Sequence, residues 1–167
     1  MIIGLPVVEG HELTKVALEH LTKNAVLSET IPVVIDNGSV KSYEQYLAED
    51  ADCDCRHMNG KTIGLIRNEE NIGFYQPLKQ LYDAYPDEEV IGIMHNDLML
   101  YEQGWDRRMM MAFNEDPQLG LIGLCGSKEV DAMGGRGSYT VCNFMGRDVQ
   151  VGDKIWKGQD PSAGRRI

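Results

Sequence analysis

The chain has little cysteine, few basic residues and no long apolar run, and each shortage removes a class of protein. Its four cysteines, Cys53, Cys55, Cys125 and Cys142, are too few and too irregularly spaced in 167 residues to suggest a disulfide framework. Reduced thiols are the expectation. Cys53, Cys55 and His57 make a C-x-C-x-H cluster, but it lacks the paired C-x-x-C spacing of structural zinc sites, so a solvated loop is the reading there. No segment reaches the roughly 18 uninterrupted apolar residues of a membrane span, and the amino terminus lacks the basic-then-apolar pattern of a secretory signal. A cytoplasmic protein with no membrane span is therefore expected. Lys and Arg number 16 against 26 Asp and Glu, a net charge of -10, which argues against general affinity for nucleic acid or anionic membrane. An anionic ligand would be held by a divalent cation and backbone amides rather than by the overall field.

What the chain does have is an ordinary globular composition, 43% hydrophobic and 25% charged, at a length suited to one domain with a central sheet. Met1 to Val8, MIIGLPVV, reads as a first strand. Leu13, Val16, Ala17 and Leu21 then fall at helical spacing, with Glu12 near the start and Lys23 near the end, as the helix dipole prefers. Ile31 to Ile35 is a second apolar run that stops at Asp36, Asn37, Gly38 and Ser39. Ser42 and Gln45 have capping-box spacing ahead of a short helix. Asp50 to Lys61 shows no period and reads as a loop, and Thr62 to Ile66 as a third strand running into Arg67 and Asn68.

Phe74, Leu78, Leu81, Tyr82 and Tyr85 are expected to line one helical face. The stretch VIGIMHNDLML, Val90 to Leu100, is the signature of a buried parallel strand whose carboxyl end carries polar groups into a cleft, where ligands of such sheets collect. An ordinary strand with an acidic turn is the plainer alternative. Trp105, Met109, Ala112 and Phe113 mark a further helix, and Leu119 to Leu124 a fifth strand. This alternation predicts a three-layer, Rossmann-like α/β sandwich with a mostly parallel central sheet. Residues 1–126 would form the main α/β domain, and residues 127–167 a less regular region or flexible tail of it. In the latter, Tyr139 to Met145 reads as one more strand and MGGRGS, Met133 to Ser138, as a loop.

Three strand ends, taken together, carry a resemblance: VVIDNGS at Val33 to Ser39, R-x-x-x-N-x-G-F from Arg67 to Phe74, and IMHND from Ile93 to Asp97. In this order they resemble the family 2 glycosyltransferases of the A-type, nucleotide-diphospho-sugar-binding fold, and WDRRMMMAFNEDPQLGLIG after them is similar to that family's next helix and strand. The resemblance implies an inverting, Mg²⁺- or Mn²⁺-dependent transfer of a sugar from a UDP-, GDP- or dTDP-sugar to an acceptor hydroxyl. It implies that Asp36, with Asn37 and Ser39 in the same turn, contacts the base or ribose, and that Pro6 begins the first nucleotide-facing loop. Arg67, Asn71 and Gly73 would line the donor pocket, beside Asn96. Asp97 matches the last acid of the metal triplet, whereas His95 stands where relatives have the first acid, either as a further ligand or as a supporting histidine.

Local alternatives remain: an Asx turn for Asp36 and a surface ion pair for Arg67. The resemblance implies a nucleotide-sugar-binding domain over residues 1–126 and a partial acceptor-side region over 127–167, where Glu129, Asp131 and Asp153 are in reach of the role of base, with Asp131 the candidate, but none matches a motif. Relatives commonly continue further, so a truncated piece, a minimal form, a second copy or a completing partner chain all stay open. The competing readings are a non-catalytic nucleotide-sugar-binding or interaction module and another doubly wound α/β protein, such as a dinucleotide enzyme or an acidic-pocket phosphotransfer domain. Against the latter, no G-x-G-x-x-G follows the first strand and no acidic pair lies close to it.

Overall fold

The computed structural model describes residues 1–49 and 57–123, together with the backbone of 125–127, 140–142, 149–151 and 154–156. The unit Met1–Glu115 runs β1 (Ile2–Val7), α1 (His11–Asn24), β2 (Ile31–Asn37), α2 (Tyr43–Ala48), β3 (His57–Met58), β4 (Lys61–Thr62), β5 (Gly64–Asn68), α3 (Tyr75–Ala84), β6 (Ile91–Ile93) and α4 (Trp105–Glu115). β5, β2, β1 and β6 form one sheet in that order, and every pairing in it is parallel. The predicted α/β class with a parallel sheet is therefore present.

Strand alternation sorts the core into two layers. Ile3, Leu5 and Val7 of β1 and Val34 of β2 pack with Ala17, Leu18 and Leu21 of α1, Tyr43 and Leu47 of α2, and Trp105. Ile2, Val33 and Ile35 point the other way and meet Leu81 of α3. Gly4 makes that second contact possible, because a Cβ there would lie 2.6 Å from a Leu81 methyl. Helices thus cover both faces, which explains why β1 and β2 are nearly continuous apolar runs.

Two prolines mark where the ladder ends. Residues 1, 3, 5 and 7 face β2, as the bond from Ile31 N–H to Met1 O shows, and even residues face β6, as the bond from Met94 N–H to Gly4 O shows. The β1–β6 register stops at Gly4↔Ile93, so Pro6 lacks its N–H on a side where no partner remains. Pro32 likewise precedes the β2–β5 ladder, which starts at Val33↔Gly64. β1 therefore continues along β2 while β6 diverges, which opens the sheet at its strand-order reversal.

Three expectations are corrected. Leu119 to Gly123 is not a strand, and Leu121 is 85% exposed; an apolar run gains from extension only where another strand pairs with it. The loop of Asp50 to Lys61 contains a hairpin, because Asn59 (φ 51°) and Gly60 (φ 76°) form a left-handed corner between β3 and β4, the preference of Asn-Gly turns. In α3 the buried residues are Pro77 and Leu81, whereas Phe74, Tyr75, Leu78 and Tyr82 are exposed. α3 meets the sheet through Pro77 and Leu81, which leaves Tyr75, Leu78 and Tyr82 outside that contact.

In the unit Asp116–Ile167, β7 (Cys125–Ser127) pairs antiparallel with β8 (Thr140–Cys142), and β9 (Val149–Val151) with β10 (Lys154–Trp156). β8 lies within the strand expected from Tyr139 to Met145. Glu129, Asp131, Asp153, Cys53, Cys55 and the MGGRGS loop lie outside the described residues. No helix among the described residues is long and apolar enough to cross a membrane.

Candidate functional site

The register of β2 with β5 places Asp36 beside Arg67 and Asn37 beside Asn68. Because successive residues point to opposite faces, these neighbours build two separate networks at the carboxyl edge of the sheet.

The first network lies on the α1–α2 face. Asp36 is 4% exposed; its Oδ1 accepts from Ser39 N–H at 3.1 Å and its Oδ2 from Tyr43 N–H at 2.8 Å. Arg67 Nη1 lies 2.6 Å from the same Oδ2, and Arg67 Nη2 donates to Ser39 O at 2.8 Å. Burial alone would raise the Asp36 carboxyl, but the hydrogen bonds from Ser39, the Tyr43 amide and Arg67 together hold it below the usual carboxylate range. Asp36 is thus an ionised anchor that closes its own turn and fastens the start of α2. Both alternatives from the sequence, the Asx turn and the ion pair, describe what these side chains do here. The Ser42–Gln45 capping box forms as expected.

Ser39 links this turn to the loop after β1. Its Oγ accepts from Glu9 N–H at 3.0 Å, and Glu9 Oε1 accepts from Val40 N–H at 2.6 Å. Glu9 holds φ 58° and Gly10 φ 68°, a left-handed pair that turns the chain into α1 and that only glycine adopts freely. Glu9 went unnoticed in the sequence; its position one residue ahead of a helix-opening glycine was the available signal.

The second network lies on the α3 face. Asn37 Nδ2 donates to Asn71 Oδ1 (2.9 Å) and Gly73 O (3.0 Å), while its Oδ1 accepts from Asn68 Nδ2 and Ile72 N–H. Asn68 and Gln80 of α3 exchange a pair of side-chain bonds. Gly38 (φ 84°) sits against this loop, and a Cβ on it would lie 2.5 Å from the Asn71 nitrogen. Asn37, Asn71 and Gly73 are therefore brought together as one clasp, which presents Phe74, about half exposed, at the edge.

The third cluster follows β6. Leu98 N–H donates to His95 O, closing a turn with Asn96 and Asp97 at its corners. Asn96 Nδ2 donates to Thr14 Oγ1 at 3.1 Å, tying the turn to the first turn of α1. The His95 ring stacks on Phe74 with centroids 6.0 Å apart. Asp97 is exposed and has no hydrogen bond or ion pair among the described residues. Pro6 sits inside β1 rather than after it, at the mouth of the opening between β1 and β6. That opening, flanked by Glu9, Gly10 and the His95–Leu98 turn, is the strand-order switch point at which α/β sheets bind ligands, and the N-terminus of α1, which has no side-chain cap, lies beside it.

Family models, curated proteins and solved structures offer no match to this chain. Among the described residues no three His, Cys, Asp or Glu side chains gather closely enough to hold a metal ion. One uncommitted carboxylate at the switch point nevertheless suits Mg²⁺ or Mn²⁺ arriving with a diphosphate, since such ions are bound through one or two carboxylates plus phosphate oxygens rather than by a protein cage. Manganese also accepts imidazole, which fits His95.

Proposed function

We propose that the chain carries the donor-binding domain of a glycosyltransferase with the A-type fold, binding a nucleotide-diphospho-sugar across the carboxyl edge of the β5-β2-β1-β6 sheet. The observation that carries the reading is the convergence of the three strand-end segments on that one edge, with the uncommitted carboxylate of Asp97 at the switch point. Asp97, with His95 beside it, would hold the metal ion. Bound there, a hard cation supplies charge neutralisation to the departing diphosphate. Asn96 positions the acid by holding its turn to Thr14. The α1 N-terminus favours anionic phosphate nearby. Asp36, Asn37, Ser39, Arg67, Asn71 and Gly73 act as the frame that shapes the nucleotide side, with Arg67 partly exposed to a ligand.

The test is calorimetric titration of UDP, GDP and dTDP with and without Mn²⁺. Metal-dependent binding of at least one nucleotide is expected, and Asp97→Ala should weaken it about 10-fold or more, exceeding the effect of His95→Ala. Absence of metal-dependent binding in the intact protein refutes the reading. The presence of a single carboxylate in the described triplet favours one second reading, a nucleotide-sugar-binding module without turnover. Donor binding without sugar transfer or hydrolysis across a broad acceptor screen would select it.

A further inference from the structure

Two of the four cysteines stand directly opposite one another: in the β7–β8 ladder, Cys125 pairs with Cys142, Gly126 with Val141, and Ser127 with Thr140. Directly opposed residues of an antiparallel ladder share one face, with Cα atoms about 4.5 or 5.5 Å apart according to whether the pair is flanked by hydrogen bonds. Both separations fall within the roughly 4.4–6.8 Å that a disulfide bridges without moving the backbone. The register therefore places two cysteines, 17 positions apart in sequence, at opposed backbone positions whose spacing suits a disulfide. A pair displaced by one residue would put the sulfurs on opposite faces and could not close.

We infer that Cys125 and Cys142 are a dithiol–disulfide couple, a covalent modification site that small-molecule disulfides such as oxidised glutathione would convert. One cysteine, as its thiolate, attacks a sulfur of the small disulfide; the S–S bond breaks, a small thiolate leaves, and a mixed disulfide forms. The other cysteine then attacks the protein-side sulfur and expels the second small thiolate. Two protein thiols are oxidised, one small disulfide is reduced to two thiols, and the two protons pass to the departing thiolates. The closed ring spans the segment that contains Glu129, Asp131 and MGGRGS, and the inference does not depend on the sugar-transfer reading.

The segment's own chemistry makes the test direct. Trypsin cleaves after Lys128 and Arg136, so Cys125 and Cys142 leave on different peptides, residues 109–128 and 137–147, that stay joined only by a disulfide. The full chain is equilibrated in oxidised and reduced glutathione, alkylated and mapped by mass spectrometry. The Cys125–Cys142 peptide pair should dominate on the order of tenfold over links from either residue to Cys53 or Cys55, because the ladder register holds positions 125 and 142 opposite one another, and reductant should abolish it. A double variant, Cys53→Ser with Cys55→Ser, should form it in unchanged yield. The inference is overturned if Cys125 and Cys142 alkylate as freely as in the reduced control, if they stop as mixed glutathione disulfides, if they pair with Cys53 or Cys55, or if the double variant loses the link.

Discussion

Replacing Asp106 by asparagine should unfasten the end of the sheet opposite the proposed site. Asp106 is fully buried at the start of α4. Its Oδ1 accepts from Val26 N–H (3.0 Å) and Arg107 N–H (2.8 Å), and its Oδ2 from Leu27 N–H and the Thr30 hydroxyl, both at 2.8 Å. All four partners are donors, so one carboxylate ties Val26, Leu27 and Thr30 of the loop between α1 and β2 to the start of α4. Trp105 Nε1 and Gly104 N–H cap the last carbonyls of α1 from the same segment. An asparagine matches this set poorly: its amide nitrogen is best placed at Oδ2, where Thr30 can rotate to accept, but Leu27 N–H then faces a donor. One hydrogen bond to a charged group is lost and the rest are weakened, a cost of about 2 kcal/mol, whereas Asp106→Ala strands all four donors at about 4 kcal/mol. At about 4 °C per kcal/mol for a unit of this size, midpoints fall by roughly 8 and 16 °C.

The pH dependence has a definite sign. Burial raises the Asp106 carboxyl, but the bonds from Val26, Leu27, Thr30 and Arg107 outweigh it and leave it below the ordinary range. Its folded value thus lies below the unfolded one, so its contribution is complete above about pH 4 and lost as pH falls through the folded value. Thermal unfolding at pH 7 and pH 3, with hydrogen exchange of the Val26 and Leu27 amides, checks both parts. The wild-type advantage over Asp106→Asn should shrink in acid, and both amides should exchange faster in the variant. An asparagine variant within 0.5 kcal/mol of wild type at pH 7, an estimate set by ordinary surface changes, would refute the reasoning.

Other outcomes are equally specific. Gly38→Ala combines a left-handed φ with a Cβ 2.5 Å from the Asn71 nitrogen, so it should cost about 3 kcal/mol or more in denaturant titration; a loss under 1 kcal/mol would mean that the loop yields freely. Arg67→Ala leaves Asp36 its bonds from Ser39 and Tyr43, so a loss of only about 1–2 kcal/mol is expected at pH 7. Because the folded Asp36 carboxyl lies below its unfolded value, that gap should narrow as pH falls below about 4, which urea midpoints at the two pH values would show.

The sequence by itself determined the order of the sheet's four parallel strands and the helices between them, and the class of the sheet. Apolar runs ending in polar groups marked β1, β2, β5 and β6, and the periodic apolar positions of α1 and α4 and the Ser42–Gln45 box lay in local chemistry, where nearest neighbours decide the outcome. Tertiary structure decided which polar groups point outward. Asp36 and Asn37 are adjacent in sequence, yet the pleat sends one under Arg67 and the other into the Asn71–Gly73 clasp, and both become frame rather than free contacts. Asp97, at the corner of a turn held by Asn96 and Thr14, keeps an uncommitted carboxylate. Asp106 and the exposed ring of Phe74 were equally beyond local reading, because burial depends on what another segment brings alongside. The apolar run at Leu119 shows the same limit from the other side: hydrophobicity offers a strand, but only a neighbour with open hydrogen-bonding groups makes one.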